Sequence, residues 1–148
     1  MILGINFYKI SAESKRTSIQ GNLKVNSNVQ IKSVENAEIS GNPKSSGGLK
    51  IQFTFKTTYT PDIGTIELDG ELIAVEKKEV AENAIKEWKK SKALVKDILK
   101  EVMDSILARA TVEAVVLSRE VALPPPIPFP RVNEQQPVQK DQNDNYIG

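Results

Sequence analysis

Residues 49–59 read Leu49-Lys50-Ile51-Gln52-Phe53-Thr54-Phe55-Lys56-Thr57-Thr58-Tyr59. Leu49, Ile51, Phe53, Phe55, Thr57 and Tyr59 alternate with Lys50, Gln52, Thr54, Lys56 and Thr58. Successive side chains of a strand point to opposite faces, so this period of two predicts a long strand with one buried and one wet side. Thr60-Pro61-Asp62-Ile63-Gly64 supplies a turn, with proline presetting φ and glycine free to take a positive value. Ile66, Leu68, Gly70, Leu72 and Ala74 then alternate with Thr65, Glu67, Asp69 and Glu71. The basic outer side of the first strand would lie beside the acidic outer side of the second, a favourable cross-strand arrangement. The pair is an antiparallel hairpin.

Two weaker strands lie upstream. Leu3, Ile5 and Phe7 share one parity, and Tyr8, Ile10 and Ala12 share the other. A phase change inside a strand predicts a bulge or a strand that crosses between surfaces. Leu23, Val25, Val29 and Ile31 give another strand, whose course beyond Ile31 towards Ile39 is not defined by parity. Gly41 to Gly48 is a loop by composition. Downstream the period becomes helical. Val80, Ala81, Ala84, Ile85 and Trp88 mark a short amphipathic helix, and Lys89-Lys90-Ser91-Lys92 a joint. A long helix then follows from Leu94 through Ala110, apolar at i, i+3 and i+4. Past Thr111 it either continues to Ser118 or gives way to extended chain.

The block Leu123-Pro124-Pro125-Pro126-Ile127-Pro128-Phe129-Pro130-Arg131-Val132 excludes helix and interior strand, because each proline lacks a donor and fixes its own φ. It is also too apolar for an ordinary linker, so it should lie on apolar surface or be offered to a partner. Residues 133–148 are polar and read as a mobile tail. The fold class is therefore α+β: a four-stranded antiparallel sheet packed on one face by a long amphipathic helix, within a single domain spanning 1–132. One helical layer covers one sheet face. Ile63, Ile73, Val75, Tyr8 and Ile10 look left over on the other, which points to oligomerisation or a partner groove.

Chemistry is scarce. The 148 residues contain no Cys and no His, which removes thiolate and imidazole nucleophiles, bases and metal ligands. Glu67, Asp69, Glu71 and Glu76 are best read as the wet side of a hairpin rather than an acid–base or metal site. The net charge of +1 gives no field that would draw nucleic acid or a membrane surface. Lys86-Glu87-Trp88-Lys89-Lys90-Ser91-Lys92 could stack and clamp a nucleic acid, but a packed tryptophan on a solvated helix explains it better. The PxxP spacing from Pro125 to Pro128 fits polyproline recognition. No transmembrane run or signal peptide is visible, so a cytoplasmic protein is expected, with no enzyme activity and no cofactor.

The order of parts resembles the SecB-like protein-export chaperones. The residues that carry the resemblance are Ile5-Asn6-Phe7-Tyr8-Lys9-Ile10-Ser11-Ala12-Glu13, Ile66-Glu67-Leu68-Asp69-Gly70-Glu71-Leu72 and the block 123–132. It implies a dimer of dimers that holds unfolded polypeptides in apolar grooves without ATP, with a translocation motor or a toxin–antitoxin pair as further partners. Phe53, Phe55, Tyr59, Leu123, Ile127 and Phe129 would line such grooves if the proline block is displaceable. The competing expectation is a structural or adaptor module whose proline block is bound by one dedicated protein.

Overall fold

The computed structural model describes residues 1–15 and 22–127. Four strands, β1 (Ile2–Ser14), β2 (Lys24–Ala37), β3 (Ser46–Thr60) and β4 (Gly64–Lys77), precede two helices, α1 (Lys78–Ser91) and α2 (Lys96–Glu120). The strands form one antiparallel sheet in the order β1-β4-β3-β2. The hairpin read from the sequence is its centre, which is why its alternation is the cleanest: both strands have a neighbour on each side. Phe53 lies opposite Gly70, Phe55 opposite Leu68 and Ile51 opposite Leu72, so the apolar parity of both strands shares one side. The helices cover that side, α1 resting chiefly on β3 and β2, and α2 on β1 and β4.

Bulges explain the broken parities of the edge strands. In β1 the register shifts between Phe7 and Lys9, so Phe7 faces Gly70 while Ile10 faces Leu68. Ile5, Phe7, Ile10 and Ala12 thereby all point towards the helices although they change parity in sequence. In β2 the shift falls between Ile31 and Ser33: Ile31 faces Phe53, and Val34 faces Ile51. That extra residue is why parity fails beyond Ile31, although the strand continues to Ala37.

This arrangement corrects the expected leftover apolar surface. Ile63 is buried in the core beside Tyr59 and Ile66, and Ile10 sits on the helix side, half exposed at the sheet edge. Ile73 and Val75 do keep the wet-face parity, opposite Lys50 and Gly48 of β3, and Tyr8 is exposed at the β1 bulge. The turn also differs from expectation. The positive φ belongs to Asp62, at 48°, and not to Gly64. Gly64 serves close approach instead, since a Cβ there would stand 2.5 Å from the Glu13 carbonyl oxygen and 2.9 Å from Leu123 Cδ1.

Helix α1 reaches Ser91, so the joint is Lys92–Val95, slightly later than the lysine run suggested. Helix α2 does continue past Thr111, burying Ile98, Val102, Ile106, Ala110, Ala114 and Ser118. The fully buried positions of its second half, Ala110, Ala114 and Ser118, are small, which lets the helix lie close over Phe55, Ile66 and Leu68, with Leu117 packing at the side. It ends in a left-handed residue, Ala122 (φ 56°). There the Ala122 N–H donates to the Arg119 carbonyl at 3.3 Å and the Leu123 N–H to the Ser118 carbonyl at 2.8 Å. This double return closes the helix and sends Leu123 into the core, where it is buried.

Candidate polypeptide-binding groove

The residues expected to line a binding surface fall into two groups. Phe53, Phe55 and Tyr59 are fully buried beneath the helices, and Leu123 is buried with them. They are core in this state because the sheet's apolar side and the helical layer satisfy each other. Phe53 packs edge-on against Phe7, with centroids 6.1 Å apart. The Arg109 guanidinium lies 5.1 Å from the Phe7 ring centroid and closes that stack from above. The Tyr59 hydroxyl donates to the Pro124 carbonyl at 2.6 Å. Burial pushes the pKa of that phenol up to about 12, so it stays protonated and a donor at neutral pH. Ile127 is 37% exposed at the end of the described chain, and Phe129 lies outside the described residues. Displacing the segment from Leu123 onward would free Tyr59, but Phe53 packs with Trp88, Ile98, Val102 and Ile106 of the helices and would stay covered.

An open site lies elsewhere, where α1 stops and the chain turns back towards α2. A groove of about 640 Å³ runs there between the β2 edge and the helices, lined by Val29, Gln30, Ile31, Lys32, Trp88, Lys92, Leu94, Leu99 and Met103. Val29 and Ile31 form an apolar floor on the helix side of β2, opposite Phe55 and Phe53 of β3. Leu99 and Met103, one turn apart on α2, form a wall, and Leu99 keeps 38% of its surface exposed. Trp88 is 8% exposed and part of the core, so it contributes an edge of the groove and has no free face for a base to stack on.

The rim is polar. Lys92 holds its ammonium 5.9 Å from the Trp88 ring centroid. Lys32, the bulged residue of β2, turns its ammonium to the opposite, wet side of the sheet, 3.5 Å from Asp69 Oδ1, an oxygen that also accepts from Thr54 Oγ1 at 2.6 Å. Among the described residues β2 pairs only with β3, so its outer edge carries unpaired backbone donors and acceptors beside the groove. An apolar trough next to an open strand edge suits an extended chain better than a compact small molecule. Sequence reading missed this site because it is assembled from three separated stretches, 29–32, 88–94 and 99–103. The partial signal was Leu99 and Met103, which widen the apolar stripe of α2 beyond what one sheet contact needs.

Among the described residues no Asp, Glu, His or Cys cluster suited to a metal ion occurs, and no helix is long and apolar enough to cross a membrane. No family model matches the chain, and no curated protein matches it by sequence. Among solved structures it is similar to the SecB-like chaperone Rv1957 of Mycobacterium tuberculosis, in complex with a ChAD peptide from the Rv1956 HigA1 antitoxin. The TM-score is 0.51, the identity 14%, and 90% of each chain is covered. With its four-stranded antiparallel sheet, two-helix layer and matching path over nine-tenths of its length, the chain has the SecB-like fold.

Proposed function

We propose that the protein is an ATP-independent holdase that captures extended apolar segments of unfolded polypeptides in the groove between β2 and the helices. The observation that carries this reading is the groove itself: an apolar floor and wall left open beside an unpaired strand edge. Unfolded chains are extended and variable in sequence, so a broad trough plus backbone pairing suits them where a shaped pocket would not. The peptide bound to the similar mycobacterial chaperone supports a polypeptide as the ligand class. No catalytic residue is assigned. In this reading, lifting the proline block opens a second, latent apolar surface at Tyr59, Leu123, Ile127 and Phe129, which Phe53 and Phe55 join only if the helices lift as well.

Assembly as a dimer of dimers belongs to the same proposal. It is supported by the other open edge, β1, where Leu3 and Tyr8 are exposed at the bulges and Ile10 is half exposed beside them. A cytoplasmic role in export or in a toxin–antitoxin system is the setting this function would have. The adaptor reading rests on the proline block, of which Leu123 is buried, Pro124 is bonded through its carbonyl and Ile127 is the exposed part.

The test is aggregation of an unrelated, chemically unfolded protein diluted into buffer with and without this one, without nucleotide. Strong suppression at near-equal concentrations is expected. Leu99→Ser, at an exposed groove position, should weaken suppression while leaving thermal stability nearly unchanged. Phe53→Ala should lower stability by about 3–5 kcal/mol, because it opens a cavity in the core. If a folded protein gave no suppression, or Leu99→Ser and wild type suppressed equally, the groove would not be the client site.

A further inference from the structure

Charge is unevenly placed around the groove. The chain as a whole carries a net +1. Residues 86–97, which supply Trp88, Lys92 and Leu94 to the lining, hold Lys86, Lys89, Lys90, Lys92 and Lys96 against Glu87 and Asp97. Five cations against two anions leave this short stretch at +3, and all five lysines are exposed. No carboxylate joins the lining, and Lys92, just past the end of α1, holds its ammonium there beside the Trp88 ring. Lys32 turns its ammonium to the opposite, wet side of the sheet.

The ion pairs already made do not cancel this field. Lys32 meets Asp69 at 3.5 Å on the far side of the sheet and takes no part in it. Lys92 has no carboxylate within 4.0 Å among the described residues; its described partner is the Trp88 ring. Nucleic acid is the other anionic candidate. It is disfavoured because the aromatic ring at the groove is packed into the core and the trough beside Lys92 is aliphatic, which gives bases no platform.

We infer that the groove selects extended polypeptide segments in which a short apolar stretch is flanked by Asp or Glu. The apolar residues would lie on Val29, Ile31 and Leu99 while a flanking carboxylate meets Lys92. This inference rests on the holdase reading of the groove and adds the charge of its clients. Exposed charge pairs of this kind contribute modestly and are screened by salt, so they set preference and encounter rate more than affinity.

The test uses the full chain and labelled peptides with one common apolar centre and flanks of Glu, Ser or Lys, with binding followed by anisotropy. Dissociation constants should rise in the order Glu, Ser, Lys. The extremes should differ roughly tenfold at low ionic strength, and the difference should largely collapse at about 0.5 M salt. Lys92→Glu, checked for intact folding by circular dichroism, should level or reverse the order. Equal affinities for the three peptides would overturn the charge inference and leave the groove standing as a client site. Failure of every peptide to bind would overturn both. Displacement of the Glu-flanked peptide by a single-stranded oligonucleotide would overturn the choice of polypeptide as occupant.

Discussion

The Tyr59 hydroxyl and the Pro124 carbonyl, 65 residues apart in the chain, are joined by a 2.6 Å hydrogen bond. It ties the last apolar position of β3 to the first proline after α2. With Leu123 packed against Gly64, it is the second of two fixings that hold the proline block to the sheet. Tyr59→Phe keeps the ring and removes only the donor. It should lower stability by about 1 kcal/mol in urea unfolding. Exchange of the Leu123 amide, which bonds to the Ser118 carbonyl, should quicken. If the block covers a latent client surface, the same variant should hold clients more tightly, and unchanged binding would argue against that cover.

The same phenol gives a dependence on pH. Burial raises its pKa from 10.0 to about 12, so the folded state disfavours the tyrosinate. A group whose folded pKa lies above its unfolded one contributes stability that is fully present below the unfolded value. That contribution is lost as pH climbs through the folded value. Tyrosinate absorbance should therefore show a late component near pH 12 that is missing in Tyr59→Phe. Stability should fall between about pH 10 and 12 by more in the wild type than in the variant.

Gly70 sits under the Phe7–Phe53 pair. A Cβ there would stand 2.6 Å from the Asn6 carbonyl oxygen, 2.8 Å from Phe53 Cζ and 3.0 Å from Phe7 Cδ1. Backbone on one side and two packed rings on the other leave little room to yield. Gly70→Ala should cost about 1–3 kcal/mol, as overpacking typically does. Chemical denaturation reads it directly, and a neutral result would mean that β1 can shift away from β4.

Ala122 occupies the left-handed position that ends α2 (φ 56°), which a side chain adopts at a cost of about 1–2 kcal/mol. Glycine has no such penalty there. Ala122→Gly should stabilise the protein by about 0.5–1 kcal/mol, after allowing for the greater freedom of glycine in the unfolded chain. A rise in the melting temperature is the expected outcome. A fall would show that the helix end is not closed by the double return to Arg119 and Ser118.

Much of the fold was legible because hydrophobic period is a local signal. β3 and β4 are flanked on both sides, so their helix side is apolar from Leu49 to Ala74 except at Thr57, whose buried hydroxyl is satisfied by Ser27 Oγ at 2.9 Å. The edge strands were harder. Their bulges at Tyr8 and Lys32 insert one residue, and a reading by parity either sees a phase change or loses the strand. The similarity to a solved SecB-like structure bears out the family resemblance at the level of fold. The site was less legible, for a different reason. Apolarity marks Phe53, Phe55 and Tyr59 as wanting burial but does not say by what, and the protein's own helices bury them. Val29 and Leu99 carry no distinguishing chemistry. Only the early end of α1 leaves them uncovered.

The bulges also decide where this chain can change length. Removing Lys32 would leave Ile31, Ser33 and Val34 in regular alternation, with Ile31 and Val34 still inward; removing Tyr8 would do the same for Phe7, Lys9 and Ile10. In β3 or β4 a single deletion would turn every following side chain to the opposite face. The outer strands can therefore lose a residue without disturbing the core, and at Lys32 the loss would remove the ammonium that meets Asp69 on the wet side. Length variation at such bulges can remodel the wet surface while the fold stays fixed.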